Sequence, residues 1–91
     1  MTERRSRLQV IFDMLKAIQD KRGGIIKPTH LLYKSNLSYK RLQGYLDELK
    51  QRGLVVEAEE KGHKMIALTE QGHRFIQDYQ KVQAFTEAFG L

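Results

Sequence analysis

The chain has 91 residues, room for one small domain rather than two, and its 41% of hydrophobic residues supplies a single core but no large enclosed catalytic cleft. Sixteen Lys and Arg against eleven Asp and Glu leave a net charge of +5, with an isoelectric point near 9.6, which points to a polyanionic partner. The absence of cysteine excludes disulfides, thiolate zinc sites and cysteine nucleophiles. No apolar run approaches the roughly 20 residues needed to cross a bilayer. Positions 1–7 are polar and lack the apolar centre of a signal peptide, so a soluble, cytoplasmic protein is expected. Charge is uneven: residues 1–22 carry six bases against three acids and residues 27–52 six against two, whereas 54–70 is net acidic and 71–91 balanced.

Leu8, Ile11, Phe12, Leu15 and Ile18 or Gln19 recur at helical spacing and predict an amphipathic helix over roughly residues 4–21, ended by Gly23-Gly24. Ile25 and Ile26 read as a short strand. Lys27-Pro28-Thr29 then starts a second helix, with proline at the first helical position where a missing N–H costs nothing. Leu31 and Leu32 face inward from it. Ser35-Asn36-Leu37 breaks it, with Asn36 suited to a left-handed turn conformation. Ser38 caps a third helix in which Leu42, Tyr45, Leu46 and Leu49 form one buried stripe, and Gly53 stops it. Residues 54–59 and 64–68 then alternate as two strands around a tip at 60–63. Thr69 caps a last helix whose apolar positions Phe75, Ile76, Tyr79, Val82, Phe85 and Phe89 continue almost to the C-terminus. No internal repeat, linker or low-complexity tract interrupts the chain.

The expected class is therefore α+β, mostly helical: a winged helix-turn-helix with a three-helix core and a β-hairpin wing over residues 1–68, and a C-terminal dimerisation helix over 69–91. Pro28 to Gly53, which runs Pro-Thr-His-Leu-Leu-Tyr-Lys-Ser-Asn-Leu-Ser-Tyr-Lys-Arg-Leu into Tyr-Leu-Asp-Glu-Leu and then Gly-Leu-Val, resembles the archaeal winged helix-turn-helix family of predicted transcriptional regulators. The Leu-Thr-Glu-Gln-Gly motif at 68–72, which opens the last helix in that family, extends the similarity over about residues 5–85. The resemblance implies a small DNA-binding protein that dimerises through its final helix. That helix is shorter here than in relatives with a long antiparallel coiled coil.

With the leucine stripe turned inward, the third helix presents Lys40, Gln43, Gly44, Asp47 and Gln51 outward. A major groove accepts one helix, and long donors near its N-terminal half read bases: Gln43 pairs with adenine, while Lys40 and Arg41 reach guanine edges or phosphates. Gly44 costs about 1 kcal/mol relative to alanine in a helix. It either permits close backbone approach to DNA, is merely tolerated, or admits a crossing helix. Asp47 either accepts from cytosine N4 or pairs within its own helix, with Gln43, Gln51 or Arg41. Tyr39 either donates to a phosphate or packs its ring. Ser38, beside it at the helix start, joins the candidate contacts.

Supporting phosphate contacts fall to Lys27, Thr29 and His30 at the start of the second helix, where free N–H groups and the helix dipole favour anions. Lys61, His63 and Lys64 place donors at the wing tip, although Glu57, Glu59 and Glu60 oppose them. His30, His63 and His73 lack a second ligand at i+3 or i+4, so no metal or cofactor is expected. No nucleophile triad, Walker loop or paired-carboxylate motif is present, and no enzyme is expected.

The last helix would extend about 30 Å, more than one small domain covers. Its seam of Phe75, Tyr79, Val82, Phe85 and Phe89 either meets a second subunit or folds back onto the monomer. The expected partners are double-stranded DNA and a second copy of the chain, with no membrane and no evident small-molecule ligand. Alternatives to a transcriptional regulator are an architectural protein coating DNA and a winged helix that docks protein.

Overall fold

The computed structural model describes residues 5–91. Ser6 opens α1 (Arg7–Gln19) with a reciprocal cap, its Oγ accepting from the Gln9 amide at 3.1 Å while Gln9 Oε1 accepts from the Ser6 amide at 2.8 Å. The helix is shorter than the expected 4–21. Position 4 lies outside the described residues, and Asp20 caps the other end before a 3-10 turn at Arg22–Gly24. The buried stripe of α1 is Val10, Ile11, Met14, Leu15 and Ile18. Leu8 was expected inside and is 53% exposed. At 100° per residue it falls beyond the edge of that stripe, on the flank that carries the partly buried Phe12.

β1 (Ile25–Ile26) leads into α2 (Pro28–Ser35), which has Pro28 in its first turn and ends at Asn36 with φ 57° in the left-handed region. Leu37 is buried in the turn that follows. α3 (Tyr39–Gln51) starts at Ser38, whose Oγ accepts from the Arg41 amide at 3.3 Å, and it buries Leu42, Leu46 and Leu49. Gly53, at φ 75°, turns the chain out of the helix.

β2 (Val55–Glu60) and β3 (His63–Leu68) pair antiparallel, and β1 adds to the other edge of β3, giving the order β1-β3-β2. The expected four-residue tip is a two-residue turn. Glu60 and His63 are the last pair of the ladder, and Lys61 and Gly62 both have positive φ, 52° and 79°, as a type I′ turn demands. The core lies where α1, α2 and α3 close over the inner face of the sheet, around Met14, Leu15, Ile18, Ile26, Leu31, Leu46, Leu49 and Ile66.

α4 (Glu70–Ala88) runs back along α1, and its first half completes this core through Ile76 and Gly72. Thr69 launches it: Oγ1 accepts from the Gly72 amide at 3.0 Å and donates to the Gly53 carbonyl at 2.6 Å. Gly72 is required by packing, since a Cβ there would stand 2.4 Å from the Leu54 carbonyl oxygen and 2.5 Å from Leu68 Cδ1. Gly72→Ala is expected to lower stability by about 1–3 kcal/mol, read as an earlier midpoint in urea unfolding. An unchanged midpoint would mean the α3–β2–α4 junction has slack that these contacts deny.

Candidate nucleic-acid interface

The polar side of α3 follows from the burial of its leucines. Lys40, Arg41, Gly44, Asp47 and Gln51 are exposed and Gln43 is partly so. Among the described residues, an added Cβ at Gly44 meets nothing within 4 Å, so none of their helices crosses there to account for the glycine. Among the described residues, the side chains of Lys40, Arg41 and Asp47 have no ion pair or hydrogen bond. The helix-internal partner that sequence offered Asp47 is not made. Tyr39 is 67% exposed rather than packed. Ser38 spends its acceptor on the cap and keeps its hydroxyl proton for another partner.

Three arginines missed by sequence reasoning prepare this helix. Arg7, the first residue of α1, pairs with Glu48 of α3, and Arg52 Nε adds a second cation to the same carboxylate at 3.3 Å. Glu48 is thereby neutralised within the protein, so the field of α3 is more positive than its residue count implies. Arg5 reaches the end of α2, donating to the Ser35 carbonyl at 2.7 Å while it pairs with Asp13 of α1 at 2.7 Å. The turn between α2 and α3 is tied to α1 in this way.

The start of α2 and the wing come together. Lys27 and His30 share a groove with Glu60 of β2 and Met65 of β3. Thr29 is exposed on the other side, in a shallow depression with Tyr33 and Asn36. Lys61 and His63 extend from the wing unpaired among the described residues. Lys64 is engaged, with its ammonium 3.7 Å from Glu57, which also accepts from Lys50 of α3 at 2.8 Å. The hydrogen bond from Lys50, reinforced by the charges of Lys50 and Lys64, holds the Glu57 carboxyl below its ordinary range. Of the three wing glutamates, Glu59 and Glu60 keep carboxylates that are unpaired among the described residues.

The proposed seam residues of α4 divide into two groups. Phe75 and Tyr79 are partly buried, and Tyr79 stacks on Phe12 of α1 with ring centroids 4.6 Å apart. Val82, Phe85 and Phe89 are at least 60% exposed, although Phe85 and Phe89 touch at 5.0 Å. No group of three or more potential ligands among the described residues is placed to hold a metal ion. No helix of the described residues is long and apolar enough to cross a membrane.

A helix-turn-helix whose second helix runs directly into a β-hairpin is a winged helix. The chain belongs to the winged helix-turn-helix family, whose sequence profile matches residues 4–87. Among solved structures it is similar to Sso10a-2, a DNA-binding protein from Sulfolobus solfataricus, at 22% identity and TM-score 0.76 over 93% of this chain and 85% of that one. It is also similar to Sco5413, a MarR family transcriptional regulator from Streptomyces coelicolor, at 14% identity and TM-score 0.77 over 90% of this chain. A MarR family protein from Bacillus stearothermophilus matches at 20% identity and TM-score 0.76 over 98% of this chain. The chain spans 59% and 61% of the length of these two MarR family proteins. None of the curated proteins matches it.

His30 provides a check on this electrostatic picture. Partial burial, then the charges of Lys21 and Lys34, push its pKa below the ordinary value of 6.5. The folded state therefore binds fewer protons than the unfolded state between the lowered value and 6.5. Its contribution is complete above pH 6.5 and is lost as pH falls through that window. Urea unfolding at pH 8 and pH 5.5 is expected to show a smaller difference in His30→Gln than in the natural chain; equal differences would place the imidazole outside the field of these lysines.

Proposed function

We propose that the protein is a double-stranded DNA-binding transcriptional regulator that acts in the cytoplasm as a homodimer, with α3 in the major groove, and that it has no catalytic role. The observation that carries this reading is the polar side of α3, unobstructed by the described residues, where Lys40 and Arg41, unpaired among those residues, flank the open space over Gly44. The descriptions of Sso10a-2 as a DNA-binding protein and of Sco5413 as a transcriptional regulator support it. Lys40 and Arg41 meet phosphates or guanine edges and Gln43 meets adenine. Lys27 and His30 hold a phosphate on one side of the start of α2, Thr29 meets the backbone from the other, and Lys61 and His63 follow the backbone from the wing. Ser38 and Tyr39 donate hydroxyl protons to the backbone at the start of α3. Asp47 lies on the same side and disfavours indiscriminate phosphate contact.

Fluorescence anisotropy with duplexes over a salt series tests this directly. Lys40→Ala and Arg41→Ala are expected each to flatten the plot of log affinity against log salt by about one. Gly44→Ala is expected to raise stability by as much as about 1 kcal/mol and to weaken duplex binding, because its Cβ enters space that the backbone of α3 offers to DNA. A selected site should be preferred over random duplex by about a thousandfold or more. Equal affinity for both would make the protein architectural, and no binding at low salt would leave a protein-docking module.

The dimer rests on the distal half of α4. Gln19 meets His73 and Phe12 meets Tyr79, so α1 and α4 run antiparallel, and continuing that register by one turn brings Leu8 level with Val82. Leu8, Val82, Phe85, Phe89 and Leu91 are all more than half exposed, and so large an apolar surface needs a cover. A second copy, related by a two-fold axis, would offer the same surface in return and present its α3 to a successive major groove about 34 Å away. Sedimentation equilibrium is expected to give a dimer for the natural chain and a monomer for Phe85→Glu/Phe89→Glu. A natural chain that sediments as a monomer would remove the seam.

A further inference from the structure

The groove beside the start of α2 is larger than a single phosphate contact requires, and half of its basic rim, Lys21 and Arg22, lies outside the helix-turn-helix. It encloses about 840 Å³ between the 3-10 turn, the sheet and α2. Ile25, Met65 and Ala67 make an apolar floor; Ile25 and Ala67 are paired neighbours in the sheet, and Met65 and Ala67 share one face of β3. Lys21 and Arg22 rise on one side, Lys27 and His30 on another, and Glu60 stands at the end nearest the wing tip. Among the described residues, the side chains of Lys21, Arg22 and Lys27 have no ion pair or hydrogen bond. Four basic groups thus converge with one carboxylate to answer them.

We infer that this groove seats one sugar-phosphate strand of the bound duplex, so that the protein's DNA contact extends past α3 and α2 onto the 3-10 turn at Lys21 and Arg22. This rests on the duplex-binding reading given above and adds a contact to it. A backbone strand matches the groove on both counts: its phosphates meet the cationic rim, and the carbon faces of its deoxyriboses cover Ile25, Met65 and Ala67. The same groove borders both α2's first turn and the base of the wing tip, the two places from which a strand lying along α3 would be held. Lys21 and Lys34 disfavour the protonated form of His30, and an arriving phosphate relieves that repulsion.

Backbone contacts carry charge but no sequence information, and this gives the test a distinctive signature. In anisotropy titrations over a salt series, Lys21→Ala/Arg22→Ala is expected to flatten the slope of log affinity against log salt by roughly two, with the preference between selected and random duplex unchanged. Glu60→Gln is expected to act in the opposite sense, tightening binding to both duplexes by roughly threefold at low salt, as the loss of a carboxylate beside phosphates requires. All three positions are on the surface, so neither variant disturbs the core. If the natural chain binds with a steep salt slope that Lys40→Ala flattens while neither groove variant changes anything, the groove lies off the duplex. That result overturns this inference and leaves the function standing, as does a groove that proves to take only a small organic anion. A natural chain that binds no duplex overturns both.

Discussion

The Thr69 side chain joins the three parts of the molecule on which a DNA contact would depend. Its hydroxyl donates to the carbonyl of Gly53, where α3 has just ended, and accepts from the amide of Gly72, where α4 begins. The Thr69 amide closes the ring by donating to the Leu54 carbonyl at 3.2 Å. The end of α3, the wing root and the last helix therefore leave one small junction in fixed directions. Gly72 is there because the backbone of Leu54 passes too close for a side chain. The Leu-Thr-Glu-Gln-Gly motif is in physical terms a joint made of one hydroxyl and one missing methyl group.

From that joint outward the architecture is a division of labour between faces. Burying Leu42, Leu46 and Leu49 leaves α3 no choice about which side meets solvent. Arg7 and Arg52 then draw Glu48 into internal pairing, and Lys50 and Lys64 do the same for Glu57. Glu48 and Glu57 are occupied inside the protein while Lys21, Lys27, Lys40, Arg41 and Lys61 are left without internal partners among the described residues. Exposed pairs of this kind add little stability. Their larger effect is on the sign of the surface that remains.

Much of this was legible in the sequence because the signals were local. Pro28, Asn36, Ser38 and Thr69 mark helix ends by their own backbone chemistry, and the leucine spacing of α3 names its buried side without reference to the rest of the chain. What was not legible depended on distance or on termination. Nothing in the spacing links Arg7 to Glu48 or Arg5 to Ser35. Leu8 obeys the helical period and still misses the core, because a stripe about two-fifths of a turn wide leaves positions at its edge undecided. Glu60 and His63 are both polar, so alternation gives no sign that the ladder continues to this last pair and that the tip is only two residues long. On the candidate site, the face of α3 was readable by period alone. The groove was not, since its sides come from a turn, two strands and a helix.

The hairpin's turn places a lysine in a backbone conformation that glycine or asparagine adopts with less resistance, at a cost on the order of 1 kcal/mol. With only two residues in the bend, the chain has no slack with which to hide that side chain or relax it elsewhere. The Cα of Lys61 is carried at the apex, and the distance from the hairpin's root at which its side chain begins is set by the length of the paired strands.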